Sequence, residues 1–390
     1  MTLQATTTSF FTIGAHDDGM AGELAAALER RLRPCGPNLV LFFAHPRHDF
    51  VALAGEIQAR FPDALTAGCT TFGEIGPLGL TQGAVVGLAL GSPCRAAAVC
   101  VPNLCKLRFE DGPRLLEELA RQLGLELGAV SASRHVLLTL TDGLSGMEEI
   151  LVASIGARLP TVPLVGGSAG DGTRFQRTLV ALGGRARQGA AVVLLLEPGV
   201  PFHAFQLHHY RPSPGRVVVT RADPKRRIVS GLNGRPAAAV LADLFGVTLE
   251  HLVAGGVAEL ASHGTQFAFR VGDTHYMRSV MTLQGESLLL GGAVEEGSIL
   301  TVMHAGDIVE ATRNGIAQAR HALQGEPAVM LAFNCGGRLL EAENRGVIRE
   351  FHDATCPFPC VGFTTYGEQF GSMQVNHTLT SLMLGWPDER

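Results

Sequence analysis

The sequence predicts an α/β fold of two lobes built from repeated strand-loop-helix-strand units, with an antiparallel β-meander in the C-terminal lobe. The first observation behind this prediction is a repeat: AGCTTFGEIGPLGLTQGAVVGLAL at residues 67–90 returns as VGFTTYGEQFGSMQVNHTLTSLML at residues 361–384. The second is that a short β-rich run and then a helical pattern precede each copy. Repeated units of this kind gather their loops at one sheet edge, which is where open α/β sheets bind ligands.

The repeat keeps both its letters and its spacing. Its matched positions are Gly68 with Gly362, Thr70-Thr71 with Thr364-Thr365, Phe72 with Tyr366, and Gly73-Glu74 with Gly367-Glu368. In both copies the next apolar run begins 16 residues after the first glycine. A third, more diverged unit lies between them, HVLLTLTDGLSG at residues 135–146 and PLVGGSAGDG at residues 163–172, and we align its Gly167 with the other two glycines.

The elements around the repeat follow from local patterns. Residues 9–13 predict a lead strand, and leucines four residues apart predict a helix over residues 18–33. The β-rich runs at residues 39–46 and 328–337 open the first and last copies, and residues 114–127 predict an amphipathic helix. Strands and helices therefore alternate from the start of the chain, as an α/β fold requires.

The region at residues 198–236 is rich in proline, glycine and arginine, and we expect it to contain the domain boundary. Proline there is expected to break any long element. The predicted domains are residues 35–230 and residues 231–385. Short alternating runs over residues 267–304 predict the β-meander, and residues 307–323 predict a helix that leads into the last copy.

Composition and charge exclude several classes of function. The net charge of −5 argues against general nucleic-acid binding, and we expect the basic cluster Lys225-Arg226-Arg227 to be an exposed turn. The N-terminus lacks the pattern of a signal peptide, and the longest apolar run, residues 190–196, is too short to cross a membrane. The eight cysteines lack any C-x-x-C pair, which predicts reduced thiols in a cytoplasmic protein without a structural zinc site.

Residues 166–170 read GGSAG, which matches the G-x-S-x-G motif of serine hydrolases. That motif needs a helix directly behind the serine, whereas DGTRFQRTLVALGG predicts a turn and a strand. We therefore expect a loop whose backbone amides meet a small anionic or polar ligand, and no enzyme. The alternative to a ligand-binding protein is an enzyme, namely a serine hydrolase that uses Ser168.

Polar side chains at strand ends and in the glycine-rich loops form the candidate ligand site. These residues are Thr70, Glu74, Asp142, Gly167, Ser168, Asp171, Asn334, Arg338, Thr364, Thr365, Tyr366 and Glu368. Several have a second interpretation. Asp142 is suited to helix capping, Glu74 and Glu368 bind an ammonium group or hold their own loops, and Arg338 pairs with a ligand carboxylate or forms a surface salt bridge.

The 14 histidines include no H-x-x-x-H or H-E-x-x-H pair that would indicate a metal site on a helix. His377 lies beside the last strand and His304 ends an earlier one. Each is a candidate axial ligand for a non-covalent haem b, which also needs a large apolar cavity.

The sequence resembles the FIST family (F-box and intracellular signal transduction). LVLFFAHPRHDF, AGCTTFGEIG, TLTDGLSGMEE and PLVGGSAGDG are similar to its N-terminal half, and NCGGR, PCVGFTTYGEQFG and VNHTLT are similar to its C-terminal half. The resemblance covers about residues 35–385. Where C-terminal halves of the family commonly read Asn-Gln-Thr, this chain has Asn376-His377-Thr378.

The resemblance implies a sensory module that binds a small ligand and passes the signal to a histidine kinase or a cyclic-dinucleotide enzyme. Free-standing members of this length are similar to the nitric-oxide-sensing haem proteins called NosP, which partner a histidine kinase. Haem with nitric oxide is therefore the first specific ligand expected. A free amino acid held by Arg338, Glu368 and loop amides is the second.

Overall fold

Three copies of one unit make up the core of the chain. The computed structural model describes residues 10–387, and of residues 257–263 it describes the backbone alone. The first unit contains β1 (Phe11–His16), α1 (Ala21–Leu32), β2 (Leu39–Ala44), α2 (Phe50–Arg60), β3 (Leu65–Thr70), β4 (Gly73–Gly76), β5 (Gly79–Thr81) and β6 (Val85–Leu90). The second contains β7 (Arg95–Val101), α3 (Gly112–Gln122), β8 (Val136–Thr141), α4 (Glu148–Gly156), β9 (Leu164–Ser168), β10 (Val180–Leu182), β11 (Arg185–Arg187) and β12 (Ala191–Glu197).

The third unit is interrupted by an insertion after its first strand, β13 (Phe202–Leu207). The insertion contains β14 (Tyr210–Asp223), β15 (Ile228–Leu232), β16 (Arg235–Pro236), α5 (Ala237–Phe245), α6 (Leu249–His263), β17 (Thr265–Val271), β18 (Thr274–Arg278), β19 (Val280–Gln284), β20 (Ser287–Leu290) and β21 (Ile299–Ala305). The unit then resumes with α7 (Ile308–Ala322), β22 (Pro327–Cys335), α8 (Gly336–Asn344), α9 (Ile348–Thr355), β23 (Cys360–Thr365), β24 (Glu368–Phe370), β25 (Met373–Val375) and β26 (Leu379–Gly385).

The three units build their sheets in the same strand order. The orders are β1-β6-β2-β3, β7-β12-β8-β9 and β13-β26-β22-β23, and in each the last two strands are parallel. The lead strand of each unit pairs antiparallel with its closing strand. The predicted α/β fold of repeated units in two domains is confirmed, and the repeat extends further upstream than the sequence indicated.

Each unit sends its hairpin into the sheet of another unit. The β4-β5 hairpin of the first unit joins β23 of the third, β24-β25 of the third joins β9 of the second, and β10-β11 of the second joins β3 of the first. The exchange is a closed cycle. It brings the turns that precede the three hairpins to one place.

The inner faces of the three sheets share one hydrophobic core, and the helices cover their outer faces. At its centre the ring of Phe363 lies 4.8 Å from that of Phe43 and 5.5 Å from that of Phe333. Central strands that are buried on both faces need continuous apolar runs, which is why LVLFFA and AVVLLLE do not alternate.

One glycine of each unit is required by strand packing. A Cβ atom on Gly68, Gly166 or Gly362 would lie 2.2, 2.3 or 1.8 Å from the carbonyl oxygen of the paired residue on the parallel strand. The equivalent of Gly68 and Gly362 is therefore Gly166. Our sequence alignment with Gly167 was wrong by one residue.

The insertion is an antiparallel sheet with strand order β18-β17-β21-β14-β15-β20-β19, covered by α5 and α6. The expectation that proline breaks this region was wrong, because β14 runs for 14 residues. Its prolines fall at a register shift between Pro212 and Arg216, where a missing N–H is tolerated. Lys225 and Arg226 are exposed, as expected, but Arg227 is partly buried, where it pairs with Glu148 at 2.6 Å and Glu149 at 2.7 Å. The domain limits at residues 230 and 231 remain predictions.

Helices α5 and α6 form a sharply bent pair, and α6 itself contains a kink at Gly256, where φ is 54° and ψ is −133°. Over the described part of the chain, no single helix is long and apolar enough to cross a membrane. The segments 237–245 and 249–256 satisfy the length and composition test together, but with a bend of 97° between them.

Candidate functional site

The three turns that precede the exchanged hairpins form a closed ring of hydrogen bonds. The positions are counted from the glycine that strand packing requires in each unit, which is Gly68, Gly166 or Gly362. The N–H of the fourth residue after this glycine donates to the carbonyl of the second residue after the corresponding glycine of another unit. The bonds are Phe72 to Thr364 at 3.0 Å, Gly170 to Thr70 at 3.0 Å and Tyr366 to Ser168 at 3.2 Å. The prediction that the glycine turns lie on a common rim is confirmed, and we call this feature the turn ring.

A pocket of about 130 Å³ lies between the turn ring and the insertion. The ring contributes Thr365 and Tyr366, together with Phe72 from the first unit. The first turn of α8 forms another wall, and His377 lies beside it. The insertion closes the pocket with Tyr210, Gln266, Val280 and Met281. A ligand held here would contact the repeated core and the insertion at once.

The aromatic wall of the pocket is built around Tyr366. Phe175 stacks on its ring, with the centroids 4.4 Å apart and the planes 15° apart, and Phe72 meets it edge-on at 6.3 Å. Phe175 is 51% exposed and has a left-handed φ of 50°, a strained conformation for an aromatic residue. The second unit therefore holds an exposed aromatic ring at the pocket.

The predicted site residue Asp171 holds the loop that carries Phe175. Its carboxylate accepts the N–H groups of Phe175, Gln176 and Arg177 at 2.8–2.9 Å and the hydroxyl of Tyr366. Burial acts to raise the pKa of Asp171, but these hydrogen bonds outweigh it and the pKa is lowered. The hydroxyl of Tyr366 thus stays with Asp171, and the residue contributes its aromatic ring to the pocket lining.

His377 links the turn ring to the insertion. Its Nδ1 lies 2.8 Å from the hydroxyl of Tyr210, the first residue of β14. Burial lowers the pKa of His377 to about 4, so the imidazole is neutral near pH 7. The other nitrogen, Nε2, faces the first turn of α8, since a Cβ atom on Gly337 would lie only 2.4 Å from it.

Arg338 lies behind the pocket wall, fully buried. Its guanidinium donates to Asn334 Oδ1 at 3.1 Å, to Thr312 Oγ1 at 2.6 Å and to His209 Nδ1 at 3.1 Å. Two of our predicted site residues, Arg338 and Asn334, therefore bond each other. Because Arg338 already has these partners, the geometry does not favour its predicted role as the partner of a ligand carboxylate, and it forms no surface salt bridge.

The buried hydrogen bonds of Arg338 and His209 extend to the pocket through Glu341, which lines it. His209 donates from Nε2 to its carboxylate at 2.9 Å, and Arg345 pairs with it at 2.7 Å. Burial acts to raise the pKa of Glu341, but the hydrogen bond from His209 and the charge of Arg345 lower it overall. An ionised carboxylate therefore lines an otherwise largely apolar pocket.

Glu74 and Glu368 hold equivalent loops. Glu74 accepts the N–H groups of Gly83 at 3.0 Å and Ala84 at 2.9 Å, along with the hydroxyls of Thr71 and Thr81. Glu368 accepts the N–H and hydroxyl of Thr378 at 3.2 and 2.7 Å and the hydroxyl of Thr365. Burial raises the pKa of both carboxyls, that of Glu368 to about 7. Of the two interpretations left open by the sequence, the geometry favours loop support over ammonium binding.

Asp142 and the threonines at the strand ends also support the turns. Asp142 accepts from Thr178 Oγ1 and from the N–H groups of Leu144 and Gly189, so it ties distant loops together and does not cap α4, whose N-cap is Met147. Thr70 Oγ1 accepts the N–H of Leu179 at 3.0 Å. Thr364 Oγ1 is buried, with no hydrogen-bond partner among the described residues.

Ser168 does not have the surroundings of a catalytic nucleophile. It is fully buried at the end of β9, and its hydroxyl bonds Thr141 at 3.1 Å, Glu148 at 3.2 Å and Gln369 at 3.0 Å. None of these described partners is a histidine, and a turn follows, not a helix. The adjacent Gly167 packs against the core, where a Cβ atom would lie 2.6 Å from a methyl carbon of Thr365.

The two histidines proposed as axial ligands occupy different environments. His377 lines the pocket, whereas His304 is exposed on β21 with its Nδ1 3.1 Å from Thr265 Oγ1. Among the residues whose side chains are described, no group of three or more His, Cys, Asp and Glu side chains could hold a metal ion.

Three important residues were missed by the sequence analysis: Tyr210, Phe175 and Glu341. Tyr210 follows a histidine pair in the region expected to be a boundary, so nothing marked it as a strand start. Phe175 lies in the loop before the exchanged hairpin, and Glu341 lies one turn inside α8. The DGTRF turn after the repeat glycines was the only available signal for Phe175.

Comparisons with known proteins give a family. The FIST N domain model matches residues 38–235 and the FIST C domain model matches residues 237–371. No curated protein matches the chain. One solved structure, described as "Structure of PurLQS from Thermotoga maritima", is 12% identical and covers 96% of this chain and 72% of that chain. Its TM-score of 0.22 is too low to support any conclusion. Since the two family models together match most of the 390 residues, the chain belongs to the FIST family, whose domains are small-ligand sensors of signalling proteins.

Proposed function

We propose that this chain is a sensory subunit that binds a small ligand in the pocket between the turn ring and the insertion, and that it controls a partner signalling enzyme. The partner is a sensor histidine kinase or a cyclic-dinucleotide enzyme. The supporting observation is that two parts of the chain share the pocket, joined at its wall by the bond between Tyr210 and His377. A ligand that contacts both parts changes how tightly the insertion is held, which is a physical route from binding to output.

Among ligands, the pocket best suits a free amino acid with an apolar side chain. The aromatic rings of Phe72, Phe175 and Tyr366 provide an apolar wall, and the carboxylate of Glu341, which also pairs with Arg345, adds negative charge that suits an ammonium group. The N-terminal end of α8, where Gly336 and Gly337 line the pocket, suits a carboxylate, with His377 Nε2 beside it. The roles proposed here for Glu341 and the N-terminal end of α8 replace those expected for Glu368 and Arg338.

Haem with nitric oxide is the second candidate, and one observation favours it. His377 presents a neutral imidazole to the pocket, the form that coordinates haem iron. The volume argues against it, because about 130 Å³ is below the roughly 300–1,000 Å³ of sites for drug-sized ligands, and a porphyrin is larger than most of those. The residue chemistry fits haem, but the volume of the pocket does not.

A thermal-stability screen with the common amino acids tests the proposal. A ligand present at 100 times its Kd stabilises the folded protein by about 2.7 kcal/mol, enough to raise the melting temperature measurably. The test variant is Leu340→Trp, which places a large ring at the pocket. The control is Leu244→Trp on α5, since both leucines are similarly exposed, at 37% and 36%.

We expect at least one amino acid to stabilise wild type and Leu244→Trp but not Leu340→Trp. Equal stabilisation of both variants would place the ligand elsewhere. A Soret band in the purified protein that shifts with nitric oxide and is lost in His377→Ala would support haem in place of an amino acid.

A further inference from the structure

A pair of cysteines lies outside the pocket, at the opposite end of β23. Cys356 caps the C-terminus of α9, and Cys360 is the first residue of β23. Pro357, Phe358 and Pro359 join them in a short turn. The two cysteines lie in the same apolar cluster and perturb each other's ionisation, and neither is part of a disulfide. Because only three residues separate the two cysteines, a disulfide between them would close a short loop.

The two thiols differ in exposure. Cys356 keeps part of its surface exposed, whereas Cys360 is 4% exposed. Both pack into the apolar cluster between α7 and the third sheet. An accessible thiol with a protected thiol behind it is the arrangement of a reactive cysteine and a resolving cysteine.

His352, one helical turn before Cys356, supplies the acid-base group. Its side chain contacts the Cys356 thiol, and Nδ1 lies 3.5 Å from the carboxylate of Asp353. The hydrogen bond from Cys360, and then that from His352, lower the pKa of Cys356 to about 6 against the opposing effect of burial. The hydrogen bond to Cys356 raises the pKa of His352. A thiolate and an imidazolium at this position stabilise each other.

We propose that Cys356 and Cys360 form a reversible disulfide when a hydroperoxide oxidises Cys356. The Cys356 sulfur attacks the terminal peroxide oxygen, so an S–O bond forms as the O–O bond breaks. The departing alkoxide takes a proton from His352 and leaves as an alcohol, or as water from hydrogen peroxide. Cys360 then gives its proton to His352 and attacks the Cys356 sulfur. The S–O bond breaks, and hydroxide takes that proton and leaves as water.

The overall change converts two thiols and one hydroperoxide into a disulfide, one water and one alcohol. The thiols lose two electrons, and the peroxide gains them. A metal site is the competing use for such a cluster. Within the side chains that the structure describes, however, no set of three or more suitable ligands comes together.

Peptide mapping of the wild-type protein tests the proposal directly. The reduced protein is treated with hydrogen peroxide, denatured with an alkylating agent present, and digested with trypsin. Both cysteines fall in the peptide from Glu350 to Arg390, which contains no other cysteine. We expect this peptide to lose two hydrogen atoms and escape alkylation, and to regain both alkylated thiols after treatment with dithiothreitol.

Variants separate the two cysteines. Cys360→Ser should stop at a sulfenic acid that dimedone traps on Cys356, and Cys356→Ser should leave Cys360 unoxidised. Cys105→Ser removes an exposed thiol and should behave as wild type. In His352→Gln the oxidation rate at pH 7 should fall about tenfold, and its pH midpoint should move from about 6 towards the ordinary thiol value of about 8.5.

The proposal is overturned if the wild-type peptide remains doubly alkylated after peroxide has oxidised other thiols. It is also overturned if Cys360 is oxidised in Cys356→Ser. Because the mapping uses the wild-type protein, it is decisive even if a variant fails to fold.

Discussion

Replacing Gly362 with alanine tests how the three sheets are packed. Gly362 lies on the central strand β23, paired with Ala332 on one side and with Ile75 of the exchanged hairpin on the other. The added Cβ atom would lie 1.8 Å from the carbonyl oxygen of Ala332. Real Cβ atoms do not approach within 3.0 Å of such an atom, so the strands must separate by about 1.2 Å.

The cost follows from what that separation disrupts. Overpacking a core costs about 1–3 kcal/mol, and each lost ladder hydrogen bond adds about 1 kcal/mol. Alanine also lowers the conformational entropy of the unfolded chain, but this offsets only about 0.5–1 kcal/mol of the destabilisation. We expect Gly362→Ala to be destabilised by about 3 kcal/mol, with Gly68→Ala and Gly166→Ala close behind because their Cβ atoms also meet backbone.

Equilibrium unfolding in urea gives the comparison, and Gly55→Ala is the matched control. Gly55 lies inside α2, and a Cβ atom there would meet nothing within 4 Å. Alanine at that position should stabilise the chain by about 0.5–1 kcal/mol, because glycine is the poorer helix former. If Gly362→Ala and Gly55→Ala had the same stability, the close approach of the parallel strands would be disproved.

Three more predictions concern buried charges, each measured by urea unfolding. Arg338→Met should cost about 3–5 kcal/mol, since it leaves Asn334 and His209 without their buried donor. Arg227→Ala should cost about 3 kcal/mol near pH 7 by leaving buried Glu148 unpaired, and less at acidic pH, where Glu148 is protonated. Glu368 has its pKa raised from 4.5 to about 7 by burial, so the stability it contributes is complete below pH 4.5 and is lost as the pH rises through 7. Between pH 4.5 and 8, wild type should lose about 3 kcal/mol relative to Glu368→Gln, and a constant difference would refute the shift.

The repeated strands and helices could be predicted because their patterns are local. Runs such as LVLFFA and the glycines before the turns record burial and close strand packing at each position. The exchange of hairpins could not be predicted, because a β4 strand paired with β23 has the same pattern as one paired with β3. The length of β14 was missed for another reason: its prolines indicate a break, and the register shift that accommodates them is a property of the assembled sheet.

The sequence indicated where the candidate site lies, but it did not indicate the partners of each side chain there. Thr365, Tyr366 and His377 line the pocket, as expected for polar and aromatic residues near the turns. Arg338 and Glu368 are both ionisable, and sequence alone cannot distinguish an ionisable group that meets a ligand from one that is buried against other protein groups. That distinction depends on partners such as Thr312, which lies 26 residues away, and Thr378.

The three repeated units are similar, so the repeat by itself does not explain why the sheet edge of the third unit forms an apolar pocket. The equivalent edge of the first unit, where Thr70 ends β3, opens onto a groove lined by His48, Arg174 and Arg177. At the third unit, the insertion places Val280 and Met281 beside the same kind of edge and makes the lining there largely apolar. The repeat therefore supplies the rim three times, and the insertion determines which copy becomes part of an apolar pocket. A change in the insertion should alter ligand choice without disturbing the turn ring, because the three hydrogen bonds of the ring join the repeated units alone.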